Sequence, residues 1–186
     1  KTSYIVSILE QSIHLIDDLV EREFLETTAA TLVRKRTNLA DILSGYVEEC
    51  KRSSAIAKRS FHYNSSTQEL YADIDNSKFM QILNNLISNA IKFTHEGGII
   101  TITLTEKTDT LMFTVSDNGI GIPEELMPFI FDKFSQAARP GLNGEPTIGL
   151  GLSIVKTIVE WHEGEISCES KEAEGTTFIV NLPKSV

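Results

Sequence analysis

The sequence predicts an α/β fold: a two-layer sandwich in which a mixed, mostly antiparallel sheet carries helices on one face, preceded by a long N-terminal helix. Three observations predict it. Apolar residues recur at spacings of three and four in several segments, most clearly Phe79, Ile82, Leu83, Leu86, Ile87, Ala90 and Ile91, which is the pattern of an amphipathic helix. Elsewhere apolar and polar residues alternate strictly, as in Ile100, Ile102 and Leu104 between threonines, the pattern of a strand buried on one side. Finally, strands follow one another in pairs between the helices and do not alternate with them regularly, which disfavours a doubly wound sheet.

In chain order, Ile5, Ile8, Leu9, Ile13, Leu15, Ile16 and Leu19 form an apolar seam over 4–24, with Glu10, Asp17, Asp18, Glu21 and Arg22 outside it. One short neighbour would not cover that surface. The helix is expected to pair with another, in a hairpin or across a dimer, or else to fold back on its own domain. After Thr27, Thr28 and Thr31, Leu32 to Arg36 is expected to form a short edge strand. Thr37 is expected to cap a helix from Asn38 to Arg52. The stretches Lys58–Tyr63 and Leu70–Ile74, on either side of Asn64-Ser65-Ser66-Thr67, read as a hairpin. Asp75 is expected to cap the next helix. Gly97-Gly98 then turns the chain into the strand around Ile102. Leu111, Phe113 and Val115 give the following strand, and Asp117 continues its alternation onto the buried side. Pro123 opens a short helix with Glu124 and Glu125 in its first turn. Ser135 to Ile148, with Pro140, Gly141, Gly144 and Pro146, reads as a mobile loop. Leu152 to Glu163 is again helical, with Gly164 as C-cap, and strands over 165–170 and 176–182 finish the sheet.

The 186 residues, 41% hydrophobic and 23% charged, suffice for one substantial domain and an appendage. A formal net charge of -9 argues against a nucleic-acid or anionic-membrane surface, which would need clustered Lys and Arg. No apolar run approaches the length of a membrane span, and no signal peptide is visible. Cys50 and Cys168 have no metal-ligand spacing and are expected to be reduced thiols in a cytosolic compartment.

Three stretches could carry chemistry. On the helix 79–94, Asn85, Asn89 and Lys92 fall within roughly 60° of arc that borders the apolar stripe, so two carboxamides and an ammonium point along the rim of the core. In Asp117-Asn118-Gly119-Ile120-Gly121 a carboxylate ends a strand on its buried side, where it needs donors. A flat ligand such as adenine could lie on the glycines and supply an amine; an Asx-type turn that satisfies Asp117 from backbone amides is the alternative. Gly149-Leu150-Gly151-Leu152 precedes a helix whose N-terminal amides would attract phosphate, although the same residues could make a simple tight turn. The spacing matches neither a Walker A loop nor a dinucleotide fingerprint.

Taken together and in this order, these segments resemble the ATP-binding domain of bacterial sensor histidine kinases, of the Bergerat-fold ATPase group, from about Leu32 to Pro183. The Asn-lined helix resembles the family's N box and Asp117–Gly121 its G1 box. Phe131-Asp132-Lys133-Phe134 is similar to the F box, Gly149–Leu152 to the G2 box, and Gly175-Thr176-Thr177-Phe178 to the final glycine-threonine turn. The resemblance implies that Asp117 receives the adenine amine, that Asn89 holds Mg²⁺ through its amide oxygen with Asn85 in support, and that Lys92 meets a phosphate. Phe93, Gly119, Gly121, Ile122, Gly149, Leu150, Gly151, Leu152 and Thr176 complete the implied nucleotide-binding set, with Ser135–Ile148 as the ATP lid. Phe131 and Phe134 would anchor the lid base or act directly. Where the G2 pattern usually has another glycine this chain has Thr147, after Pro146, which affects the lid.

Relatives of this fold that hydrolyse ATP carry a Glu on the N-box helix; the matching residue here, Asn85, cannot take a proton from water. The resemblance therefore implies a protein histidine kinase that presents the γ-phosphate to a histidine on a dimerisation hairpin of the same or a partner subunit. Residues 1–30 would be the hairpin's second helix and 31–186 the ATP-binding domain. His14, His62, His95 and His162 fit no acceptor position, so the acceptor helix is expected to precede residue 1. The implied partners are ATP, the hairpin and a response-regulator receiver domain, with no nucleic acid. The implied whole is a homodimer, with this domain cytoplasmic and the full protein either free or anchored at the inner membrane. Two alternatives stay open: a non-catalytic nucleotide-responsive or interaction module, and an ATPase that drives conformational change.

Overall fold

The computed structural model describes residues 32–52, 58–135, 137, 139–145, 147 and 149–184. The predicted helix over 4–24, the threonines before Leu32, the division at residue 30, Pro146 and Ile148 lie outside them. In order the elements are β1 (Lys35–Asn38), α1 (Leu39–Arg52), β2 (Ser60–Ser65), β3 (Tyr71–Ile74), α2 (Asn76–Phe93), β4 (Ile99–Glu106), β5 (Thr110–Asp117), a 3-10 turn (Glu124–Phe129), α3 (Gly151–Trp161), β6 (Glu165–Lys171) and β7 (Gly175–Pro183).

The main sheet has the order β2-β4-β5-β7-β6, parallel at β2–β4 and antiparallel at every other pairing. Its registers explain the layer. Ile102, Val115 and Phe178 lie side by side, as do Leu104, Phe113 and Val180, and all six are buried. The opposite face, with Thr101, Thr103, Thr114 and Ser116, is half-exposed. The three helices pack on the apolar side, α1 against β2, α2 against β5 and α3 against β6. Next along the buried row come Ile100, Asp117 and Thr176. The alternation that fills the core thus carries a carboxylate and a hydroxyl to its edge.

Two expectations about the first third are corrected. The stretches around 64–67 do not form a hairpin: β2 runs parallel to β4, whereas β3 pairs antiparallel with β1 in a separate two-stranded sheet. The chain does bend just after β2, at Ser66 and Gln68, with the Ser65 and Thr67 hydroxyls bonded to nearby backbone, but local turn chemistry does not select a strand's partner. Parallel β2 and β4 need a long crossover, which β3 and the 18-residue α2 supply. The edge strand is also displaced, to Lys35–Asn38, so Thr37 is in β1 and Asn38 is the cap. Its Oδ1 accepts from the amides of Ala40 (3.2 Å) and Leu70 (3.0 Å).

The cap at Asp75 is as predicted: its Oδ1 accepts from the amides of Ser77 (3.0 Å) and Lys78 (3.2 Å). Burial pushes its carboxyl up, but the bonds from Ser77, Val33 and Lys78 together hold it below the usual range. At the end of α3 the left-handed residue is Glu163 (φ 59), not Gly164. The amides of Glu163 and Gly164 bond the carbonyls of Glu160 (2.9 Å) and Val159 (3.0 Å) in a Schellman arrangement. Position 164 needs glycine because a Cβ there would lie 2.4 Å from the Asn181 carbonyl oxygen.

His162, buried at 3% exposure, ties α3 to α2. Its Nε2 accepts from the Asp75 amide (3.0 Å), and its Nδ1 is 2.8 Å from the Ile158 carbonyl, which requires a neutral ring with the proton on Nδ1. Burial holds its pKa below the ordinary 6.5, with the Arg34 charge adding and the Ile158 bond and Asp75 opposing. Because the folded-state value is the lower one, the unfolded chain takes up the proton first. This stability is intact above the unfolded value of about 6.5 and is lost as pH falls from there through the folded value. Thermal unfolding should therefore move to lower temperature between about pH 7.5 and 5.5, and His162→Gln should flatten that dependence. Asp75, already depressed, titrates below this window. With both ring nitrogens engaged, His162 offers no free nucleophilic nitrogen.

Candidate functional site

A cleft opens at the edge of the core between the C-terminal half of α2, the end of β5 and the start of α3. Asn89, Phe93, Asp117, Gly121, Ile122, Gly149, Gly151, Leu152 and Thr176 line it, together with Ile130, Ser135, Ala137, Arg139, Thr147 and Phe178. The first nine are all residues that the sequence singled out.

Asp117 forms the floor of one wall. The Gly119 amide donates to its Oδ1 at 2.8 Å, so the Asx turn exists. That turn does not balance the burial: at 9% exposure, desolvation pushes the carboxyl above the ordinary range despite bonds from the Gly119 and Thr176 amides. The Thr94 hydroxyl leans toward Asp117 and favours its ionised form, but it does not reach hydrogen-bond geometry and has no partner. Both groups are suited to a polar ligand in the cleft. The loop after Asp117 is pinned on both sides. The Ile120 amide bonds the Phe93 carbonyl (3.0 Å), and the Ile122 amide donates to Ser170 Oγ (2.9 Å). Between them Gly121 has φ 66, and a Cβ there would lie 2.0 Å from the Lys171 carbonyl oxygen, so only glycine fits.

Ser170 also donates to the Gly175 carbonyl and lies 2.9 Å from Thr176 Oγ1. With its own proton on Gly175, Ser170 can only accept from Thr176, which leaves the Thr176 oxygen facing the cleft as an acceptor beside Asp117.

The other wall is the meeting of α2 and α3. Asn89 lines the cleft. One turn earlier, Asn85 donates to the Gln81 carbonyl (3.0 Å) and turns its oxygen to α3, within 2.6 Å of where a Gly151 Cβ would be. Gly151 is thus the residue that admits the asparagine. Leu150, the N-cap of α3, gives no side-chain cap bond, so the helix's first amides face the cleft without a side-chain partner. The Leu150 side chain is in the core, at 3% exposure. Gly119 and Lys92 do not line the cleft. The Lys92 charge faces Glu145 of the following loop and helps to depress that carboxyl, after the bonds from Asn143 and the Glu145 backbone.

The loop after Phe134 contains no helix or strand among its described residues. It reaches back over α2: the Leu142 amide bonds the Lys92 carbonyl at 2.9 Å. Arg139 enters the cleft, with its guanidinium 5.5 Å from the Phe93 ring centre and bonded to the Gly121 carbonyl at 2.9 Å. The sequence reading missed Arg139, although it is the single basic residue of 135–148. It missed Ser170 for want of any motif. Phe131 anchors the loop's base edge-on to Phe178, with ring centres 6.5 Å apart, whereas Phe134 is 53% exposed.

Two further expectations bear on this region. The predicted helix at Pro123 is a 3-10 turn that begins at Glu124 and has Pro128 inside it; Pro128 has no amide to bond back, which keeps the turn short. Cys50 and Cys168 are free, and burial, with the Asp117 charge adding, pushes the Cys168 thiol up to about 12. Among the described residues no group of three or more His, Cys, Asp or Glu could hold a metal, and no helix is long and apolar enough to cross a membrane.

Residues 74–186 match the family of histidine kinase-, DNA gyrase B-, and HSP90-like ATPases. The sensor histidine kinase WalK of Bacillus subtilis is 32% identical over 176 residues, covering 94% of this chain and 29% of WalK. The circadian input-output histidine kinase CikA of Synechococcus elongatus is 32% identical over 179 residues, covering 94% of this chain and 24% of CikA. Thus the chain spans less than a third of the length of either relative. Among solved structures, a nucleotide-free catalytic domain of the histidine kinase ThkA is 30% identical, with a TM-score of 0.69, and covers 81% of this chain and 95% of that one. ThkA in complex with the response regulator protein TrrA is 28% identical, with a TM-score of 0.78, and covers 98% of this chain and 51% of that one.

Proposed function

The chain belongs to the histidine kinase-, DNA gyrase B- and HSP90-like ATPase family, and on that premise we propose that it binds Mg²⁺-ATP in the cleft and presents the γ-phosphate to a histidine of a dimerisation hairpin, as the catalytic part of a sensor histidine kinase. The observation that carries this reading is a single crevice with two chemically different walls. One holds a buried carboxylate beside an acceptor hydroxyl, Asp117 and Thr176; the other holds Asn89 and the uncapped N-terminus of α3.

The first wall suits the exocyclic amine of adenine, which donates to Asp117 while the ring lies along Ile122 and Phe93. The second suits the triphosphate, with the α3 amides and dipole drawing anionic oxygens. The donors also fit Mg²⁺. Asn89 offers a neutral amide oxygen, and a hard cation of this kind takes its other ligands from phosphates and water; when bound it would neutralise charge on the triphosphate. Asn85 cannot act as a base at the water position. Catalysis would then rest on positioning and electrostatics, with an incoming imidazole as the nucleophile. Residues 1–30 as the hairpin's second helix, homodimerisation and a response-regulator receiver as the downstream partner belong to the same proposal.

Calorimetric titration with a non-hydrolysable ATP analogue, with and without Mg²⁺, tests it. Wild-type protein should bind in both conditions and more tightly with the metal. Asn89→Ala should bind as wild type does without Mg²⁺ and gain nothing from its addition. A full Mg²⁺ gain in Asn89→Ala would remove the metal assignment, and no binding in any condition would remove the reading.

A further inference from the structure

Thr147 stands where the resemblance gives glycine, and its side chain lines the cleft. Its Oγ1 is fully buried and bonds nothing, and among the described residues the Thr94 hydroxyl is the only other buried side-chain oxygen in that condition. Thr147 lines the cleft itself, while Thr94 is close enough to Asp117, on the cleft's floor, to favour its ionised form. Leaving a hydroxyl buried and unpaired costs free energy that a valine of the same shape would avoid. Several described groups of this loop are bonded: the Gly141 amide to the Glu145 carbonyl, the Leu142 amide to the Lys92 carbonyl, and Arg139 to the Gly121 carbonyl. A buried, unpaired hydroxyl on the wall of the cleft points to a ligand as its partner.

We propose that Thr147 is a nucleotide-contacting residue whose hydroxyl donates to a phosphate oxygen of the bound nucleotide. The phosphate end follows from its place in the chain. Thr147 is two residues before Gly149, at the approach to the α3 N-terminus, whereas the purine end of the cleft is set by Asp117 and Thr176 at the ends of β5 and β7. A threonine here replaces the backbone freedom of glycine with one more donor to the anion. This inference rests on the cleft being a nucleotide site.

The test titrates wild type, Thr147→Val and Thr147→Ser with a non-hydrolysable ATP analogue, ADP and adenosine. Affinities are followed by calorimetry for the first two and by amide chemical-shift changes for adenosine. Thr147→Val should bind ADP and the ATP analogue about tenfold more weakly, bind adenosine as wild type does, and unfold at the same or a higher temperature. Thr147→Ser should restore most of the phosphate-dependent affinity. Equal binding of the ATP analogue by wild type and Thr147→Val would overturn the inference alone, as would an equal loss for adenosine, which would place the effect on lid packing. If wild type binds none of the three, the nucleotide reading fails, and this inference with it.

Discussion

Asp117→Asn is expected to weaken binding of the ATP analogue by at least about 1.5 kcal/mol, roughly tenfold, and to leave the fold as stable as before or more so. The two effects have one cause. Buried at 9% exposure, the carboxylate has a raised pKa because desolvation outweighs the bonds from Gly119 and Thr176. Protonation therefore favours the folded state. The stability that protonated Asp117 contributes is present below the unfolded value and is lost as pH rises through the raised folded one. Asn is close to isosteric, so its Oδ1 can still accept the Gly119 amide, and it removes the charge. Its amide nitrogen, however, faces the purine amine with a second donor. Calorimetry and thermal unfolding at neutral pH should move in opposite directions. Unchanged affinity would end the assignment of the purine pocket to Asp117, whatever the melt shows.

Phe79→Ala is expected to cost about 3 to 5 kcal/mol of folding free energy. Phe79 is fully buried and meets Phe113 edge-to-face, with ring centres 5.4 Å apart, so the change leaves a cavity and also removes an aromatic pair. Against a typical total of about 5 to 15 kcal/mol, this removes about a third or more of an average domain's stability, and at the low end of that range it leaves a large fraction of the variant unfolded. The urea midpoint should fall with little change in slope. Because Phe79 lies in the first turn of the helix that carries Asn85 and Asn89, the apparent loss of ATP binding should track the unfolded fraction and recover as the temperature is lowered. This separates it from Asp117→Asn, whose loss persists in fully folded protein. A midpoint within about 1 kcal/mol of wild type would contradict the place of this helix at the centre of the core.

The amino-acid order by itself determined which residues face inward. One buried side of α2, β4, β5 and β7 must repeat with the period of the backbone that carries it, so Phe79 to Ile91 and Ile100 to Asp117 declare their faces locally. The same argument exposed Asp117 as a carboxylate on an apolar row, and Asn85 and Asn89 as carboxamides beside a stripe. Periodicity does not specify partners. A strand offers the same amides and carbonyls to any neighbour, so only the assembled core decided that β2 joins β4 in parallel while β3 leaves for β1. Likewise, contacts between distant residues brought His162 to the Asp75 amide, Ser170 to the Ile122 amide, Arg139 over Phe93, and left the Thr147 hydroxyl buried without a partner. Each of these depends on packing between segments far apart in the chain, about which a side chain's local pattern carries no information.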